Sequence, residues 1–498
     1  MKKSTLYPLA NVLLLTLFMS FAGCQDDFLE IGLFAELEET NFMQSESDAR
    51  LATNAIYNVL REWRYHGGFP IVDIMSDDAA KGSNPTDGIQ ILAFDDFSFT
   101  PDAASVSGWY SQLYVGIKRA NLVINRTPEI AEMSELSKAQ LIGEARFLRA
   151  LTYFQLVRVY GDVPLILTVN PERKVARSPA SEVYDLVLED LLYAAENLPE
   201  RSDYPIEELG RATRGAAKGL LAKVYLFRED FANAEKFALE VINSGEYSLD
   251  PDFGNALAKA GEFGPGSIFE VGATDDGFAQ GGNQYGNTQG IRGTPDRGWG
   301  FNRPSYDLIQ AFENDDPRMD ATIAFLGEAL GGSVLLGDPT TPDTTYFEGT
   351  NTIKELECYN QKAWTPGTTP LASWDHNVRM LRYADVLLMA AEALNENGKT
   401  NEALAYLNQV RERARGGNPN ILPDISETNQ AALRQLIWDE RRFELALEQH
   451  RFFDLVRTGQ AADVLGPLGF VAGKHELFPI PQSEIDLSEG TLTQNPGW

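Results

Sequence analysis

The run Ser373-Trp374-Asp375-His376-Asn377 sets an indole beside three polar side chains, in a stretch without helical period. A flat ring of that kind can receive the apolar face of a pyranose, and planar polar groups beside it can pair with the sugar hydroxyls. Trp364 and Tyr285 stand in similar loop sequence, and Arg292 shares the glycine-rich region of Tyr285. Earlier in the chain Asp77, Asp78 and Asn84 occupy the segment 76–84, where an aspartate pair suits either hydroxyl binding or the capping of loop turns. The candidate contact residues are therefore Asp77, Asp78, Asn84, Tyr285, Arg292, Trp364, Trp374, Asp375 and His376. Core packing is the competing use of Trp374, because tryptophan is highly buried on average. Trp63, Trp109 and Trp438 lie in helical patterns and are read as core.

Catalytic signatures are absent: the chain has no His-Glu-x-x-His, no Gly-x-Ser-x-Gly and no dinucleotide fingerprint. Gly398-Lys399-Thr400 lacks the upstream glycine of a phosphate loop, since that position is Ala393. The four histidines, His66, His376, His450 and His475, fall at no metal-ligand spacing, so neither a metal nor a cofactor is expected. Glycoside hydrolysis needs only two suitably placed carboxyl groups, and abundant Asp and Glu are its sole support. The charges Glu440, Arg441, Arg442, Glu444, Glu448, Arg451, Asp454 and Arg457 step by three and four residues, as ion pairs along one structural helix would. No enzymatic activity is expected.

The elements that must hold these loops are mainly helical. Leu51, Ala55, Ile56, Val59 and Leu60 predict a helix over 45–65, and Trp109, Leu113, Ile117, Ala120 and Ile124 predict another over 107–125. A third carries Arg146 and Arg149 on a largely apolar surface and stops at Gly161-Asp162-Val163-Pro164; a fourth begins near Glu182 and ends before Pro199. Leu221, Ala222, Tyr225, Ala234, Ala238 and Val241 follow the offsets of a tetratricopeptide unit, and a shift of 169 residues reproduces them as Ala390, Ala391, Leu394, Ala403, Leu407 and Val410. Small residues at 222/234 and 391/403 would let paired helices approach closely. Residues 254–300, by contrast, hold 13 of the 42 glycines, and 327–376 is rich in Gly, Thr and Pro. These stretches predict structured loops with short strands laid on the helical scaffold.

Lys2-Lys3, the apolar run through Leu17-Phe18-Met19 and the small residues before Cys24 read as a secretory signal over 1–23, with Cys24 as the lipidation site. An acyl anchor would tether a mature chain of 475 residues (498 minus 23) without spanning the membrane. Loss of Lys2 and Lys3 takes the formal charge from −30 to −32, which argues against nucleic acid and anionic lipid surfaces as partners. Cys358 is the only other cysteine, so an anchored chain has no internal disulfide to draw on.

The stretch from Gly143-Glu144-Ala145-Arg146-Phe147-Leu148-Arg149 to Val163-Pro164-Leu165 resembles the signature helix of SusD/RagB-type outer-membrane nutrient-binding lipoproteins. Trp109-Tyr110-Ser111-Gln112-Leu113-Tyr114, Arg382-Tyr383-Ala384-Asp385-Val386, Asp439-Glu440-Arg441-Arg442-Phe443-Glu444 and the closing Asn495-Pro496-Gly497-Trp498 resemble the same family, in order along the chain. Gly298-Trp299-Gly300-Phe301 resembles a recurrent family element, which favours a structural part for Trp299. The resemblance implies one domain over 24–498, with a tetratricopeptide-like scaffold at about 45–250 and 380–460 and a loop-rich insert at about 254–376. It implies a shallow glycan site built from the loop after the first helix, the glycine-rich region and the approach to Arg382. It also implies the outer face of the outer membrane, and a SusC-like TonB-dependent transporter as partner. The acidic balance makes a neutral oligosaccharide or polysaccharide the expected ligand; a RagB-like peptide-binding function is the alternative.

Overall fold

The structure, a computed structural model, describes residues 43–66, 68–171, 174–274, 282–365 and 375–498. It is mainly α. Helix α1 (Glu46–Val59) opens on a capping box in which the Ser45 hydroxyl accepts from the Asp48 N–H at 3.2 Å and the Asp48 carboxylate accepts from the Ser45 N–H at 2.9 Å. Helices α2 (Ala104–Arg126), α3 (Glu135–Tyr160) and α4 (Ala180–Asn197) follow, each packed on the one before. Then come α5 (Arg214–Phe227) and α6 (Phe231–Asn243), and after the irregular region α7 (Tyr383–Glu396), α8 (Thr400–Ala414), α9 (Gln430–Leu445) and α10 (Arg451–Arg457).

The two repeat pairs fall where the 169-residue shift places them. α5 packs on α6, α7 packs on α8, and α6 packs on α7, which joins the pairs into one array. Ala222, Ala234, Ala391 and Ala403 are fully buried where the helices meet. The arginines of α3 have a packing explanation. The Arg149 guanidinium is buried and donates to both Asp190 oxygens at 2.7 and 2.8 Å and to Asn121 Oδ1 at 2.7 Å, tying α3 to α4 and α2. α3 ends because Gly161 takes a φ of +69°, and a Cβ there would come within 2.8 Å of Leu477.

Between α6 and α7 the chain forms two-stranded antiparallel pairs. β1 (Ala79–Gly82) lies before α2 and pairs with β3 (Phe301–Pro304), with Gly82 opposite Phe301. β2 (Ser267–Val271) pairs with β6 (Val378–Arg382), and β4 (Ile323–Phe325) with β5 (Cys358–Asn360). One hydrophobic core of buried residues extends from Met43 to Ile480, and two smaller clusters lie under the irregular region.

Two helix expectations change. The helix predicted over 45–65 ends at Val59: the N–H groups of Leu60, Arg61 and Glu62 bond three residues back instead of four, and a separate helical turn spans Trp63–His66. The charge series 440–457 does not run along one helix either, because Leu447 and Gln449 adopt φ values of +61° and +68° between α9 and α10. Its charges are nonetheless structural. Arg382 bonds Glu444 and Glu448, Lys362 bonds Glu448, Arg441 bonds Asp385, and Arg457 bonds Glu392, so the loops are clamped onto the last helices. Burial alone would raise the Glu448 carboxyl, but Arg382 and Lys362 bring it down to about 2.

Candidate ligand-binding site

Most of the residues singled out from the sequence are committed to the fold. Asp77 receives two hydrogen bonds of 2.8 Å from Arg451, and Asp78 receives one of 2.6 Å from Arg442. Burial pushes both carboxyls up; around Asp77 the two guanidiniums outweigh it and the pKa is lowered, whereas the more deeply buried Asp78 stays raised. Neither aspartate offers a free face to a sugar, so the pair is corrected from hydroxyl binding to the anchoring of β1 against α9 and α10. Tyr285 is 6% exposed, with its ring stacked on His376 at 5.8 Å, and His376 is 1% exposed; Tyr285 is corrected from aromatic platform to core, and His376 from polar ligand contact to core. Burial holds the His376 imidazole well below its ordinary range, hence neutral.

Asp375 is ion-paired with Lys259. Asn84 Oδ1 accepts from the Thr86 N–H at 3.0 Å, a turn made by its own side chain. Arg292 reaches the same turn, donating to Asp87 at 3.0 Å, and also pairs with Asp338. The structure therefore brings Asn84 and Arg292 together and leaves Tyr285 and His376 in a separate buried stack. Trp364 is half-buried against Gly331 and a small cluster that includes Ile291, Leu335 and Tyr359, with the Arg297 guanidinium 5.7 Å from its ring. Trp374 lies outside the described residues, as does Cys24.

An open aromatic surface bordering a cleft lies elsewhere. Trp63 is 46% exposed, and its ring meets the half-buried Trp299 edge to face. Trp63 stands at a cleft of about 580 Å³ whose floor includes the buried Trp109. Segments remote in the chain form its walls: the turn carrying Trp63 and Arg64, Ile71, the short helix Ile89–Asp95 with Gln90 and Ile91, the start of α2 with Ser105, Ser107 and Ser111, Thr288, Phe301 of β3, and Ser483 near the C-terminus. Close approach of Phe301 depends on Gly88, whose φ is +56° and whose hypothetical Cβ would lie 2.7 Å from the Phe301 ring. Pairing of β3 with β1 sets the height of Phe301 in this wall.

A buried polar network lies behind the wall. Asn302, itself at a φ of +57°, donates to Asp73 at 3.1 Å and to Gln289 at 2.8 Å, and Gln289 also accepts from Asn360. Burial pushes the Asp73 carboxyl up to about 7 against the hydrogen bonds from Asn302 and the Gln449 N–H. The cleft thus combines one exposed indole, that of Trp63, with hydroxyl, amide and guanidinium groups and has no carboxylate in its lining. Sequence reasoning missed Trp63 because its position in a helical pattern implied burial; the signal available was the Arg-Glu-Trp-Arg-Tyr-His-Gly-Gly run that ends the pattern.

Among the described residues no group of three or more His, Cys, Asp or Glu side chains could hold a metal ion, and no helix is long and apolar enough to cross a membrane. Cys358 is buried, without a disulfide partner among the described residues, and burial pushes its thiol up to about 12.

Comparison with known proteins connects this chain to a family. The sequence profile of the SusD family matches residues 265–469, and a profile described as starch-binding, associating with outer membrane, matches residues 75–226. The chain is 30% identical to the SusD-like protein P2 of Formosa agariphila, over 98% of this chain and 99% of that one. A solved laminarin-binding SusD-like protein superposes with a TM-score of 0.76 at 32% identity, covering 91% of this chain and 100% of that chain. Surface glycan-binding protein A from Bacteroides thetaiotaomicron, solved with laminarihexaose, superposes with a TM-score of 0.76 at 26% identity, covering 90% of this chain and 99% of that chain. With a relative 30% identical from end to end and a solved SusD-like structure that superposes over 91% of the chain, the chain belongs to the SusD family.

Proposed function

We propose that the protein captures an oligosaccharide or polysaccharide in the Trp63 cleft, without chemical change, at the outer surface of the outer membrane. The observation that carries this reading is the half-exposed Trp63 indole supported by Trp299, at the mouth of a cleft rimmed with Ser, Thr and Gln side chains. An aromatic face stacks on the apolar face of a pyranose, and short polar side chains pair with its hydroxyls. The glycan ligands named for the laminarin-binding and laminarihexaose-bound relatives support a glycan over a peptide. The acidic chain favours a neutral one.

Capture of this kind serves uptake. The reading includes anchoring through an acyl group on Cys24, a single domain over 24–498, and delivery of the glycan to a SusC-like TonB-dependent barrel. The outer-membrane association named in the matched profile supports the location. The test is calorimetric titration of the mature chain with laminarin and starch oligosaccharides and with mixed peptides, before and after Trp63→Ala. Saturable heat with one glycan class, its affinity lowered about tenfold in the variant, is expected. Binding of peptides alone would replace this reading with the peptide-capturing alternative.

A further inference from the structure

Two positions before Trp63, Arg61 lines a second cleft, of about 470 Å³. Its walls are the last turns of α1 with Asn54 and Tyr57, the turn from Glu207 to Arg211, and the end of β2. Beside it stands Phe263, a half-buried aromatic that joins none of the hydrophobic clusters among the described residues. The edge of its ring faces two glycines of the cleft wall: a Cβ at Gly210 would lie 3.5 Å from Cε1, and one at Gly272 would lie 3.2 Å from Cζ. Neither neighbour has a side chain with which to cover the ring.

The ring is also held in place. Phe263 has a left-handed φ of +52°, with its N–H donating to Glu270 Oε1 at 2.7 Å and its carbonyl accepting from Arg201 Nη2 at 2.6 Å. A non-glycine residue in that region is strained and persists where its surroundings determine it. Around the cleft, Arg211 donates to Asn54 Oδ1 at 3.0 Å and to Glu144 at 2.9 Å, and the exposed Glu207 carboxylate has no hydrogen-bond or ion-pair partner among the described residues. Three glutamates, Glu207, Glu208 and Glu270, stand against Arg61 and Arg211 in the lining, which disfavours a sulfated or carboxylated ligand.

We infer that this second cleft is a further subsite for a neutral glycan, with the Phe263 ring beside its Gly210 and Gly272 wall as the apolar contact, occupied by a more distant part of the chain bound at Trp63. The inference rests on the glycan reading of the first cleft. Arg61 and Trp63 are two residues apart, at most ~7.6 Å along the backbone, so one polysaccharide can reach both rims. A short oligosaccharide fills the first cleft alone, and a polymer gains from both.

The experiment compares laminaritriose and maltotriose with the polymers laminarin and starch, by calorimetry and affinity electrophoresis, on the mature chain and three variants. Phe263→Ala removes the ring; Gly210→Leu fills the cleft from a position where a Cβ meets the ring at ordinary contact distance; Trp63→Ala removes the first platform. Unfolding midpoints confirm that each variant is folded, and the two second-cleft variants act by opposite means, so a folding defect in one leaves the other informative. Expected are a polymer affinity lowered about tenfold by Phe263→Ala and by Gly210→Leu, with trisaccharide affinity unchanged. Polymer affinity unchanged in both, while Trp63→Ala weakens binding, would overturn the second subsite and leave the first reading intact. Loss of all binding in the Phe263 and Gly210 variants but not in Trp63→Ala would instead make the second cleft the principal site. Absence of binding to every probe by the unmodified chain overturns both.

Discussion

The Trp63 and Trp299 indoles meet with ring centroids 5.7 Å apart and planes inclined by 71°. At that inclination Trp299 does not extend the Trp63 surface into a flat double platform; it braces Trp63 from one edge and leaves the other side to the cleft. Trp299 then affects ligand binding through Trp63. Trp63→Ala is expected to weaken glycan binding about tenfold and Trp299→Ala about threefold, with the double variant no weaker than Trp63→Ala alone. Calorimetric titration of the four proteins checks this, and additive losses would show that each indole contacts the glycan independently.

Asp77 and Arg451 are a structural pair. Removing one partner of a buried ion pair leaves the other charge uncompensated, at a cost of roughly 3–5 kcal/mol. Asp77→Ala should therefore lower the urea midpoint strongly and leave the affinity of the remaining folded protein for glycan unchanged. A variant of ordinary stability that loses glycan binding would return Asp77 to the ligand contacts.

Asp73 makes stability depend on pH in the direction opposite to most carboxylates. Its folded pKa is about 7 against an ordinary 3.8, so between about pH 4 and pH 7 the folded state holds a proton that the unfolded state has released. This group's contribution is present below pH 4 and is lost as the pH rises through 7. The stability of the unmodified protein relative to Asp73→Asn should fall across that window, by a few kcal/mol at most. Denaturant titrations at pH 4.5 and pH 8 measure the difference, and a gap independent of pH would mean that Asp73 is already ionised near pH 4.

Glu448 works the other way. Arg382 and Lys362 hold it at about 2 in the folded state, so the stability it contributes is present above its unfolded value near 4.5 and is lost as the pH falls toward 2. Glu448→Gln should flatten the acid limb of the unfolding curve while lowering stability at pH 7, because both cations then lose a charged partner.

Asn495 fastens the C-terminal segment to the helical scaffold, its side-chain amide donating to the carbonyls of Tyr160 at 2.9 Å and Phe478 at 2.7 Å. Asn495→Ala leaves both buried carbonyls short of a donor and should cost about 1–3 kcal/mol. A thermal midpoint unchanged by the substitution would show that solvent replaces these bonds.

Sequence alone determined the mainly helical architecture, the paired repeats at 222/234 and 391/403 and the irregular character of 254–376, because helix periodicity, small-residue contacts and glycine content are written at short range. It also indicated that the charges from Glu440 to Arg457 serve structure. Exposure was not legible in the same way. Trp63 sits three residues beyond the end of a helical stripe and is open, whereas Tyr285 stands in glycine-rich loop sequence and is buried against His376. Asp77 carries the polarity of a binding residue, but its partner, Arg451, is 374 positions away. The ring a ligand can reach and the carboxylate already neutralised are decided by contacts between segments remote in the chain, and those contacts exist only once the helices and loops have packed.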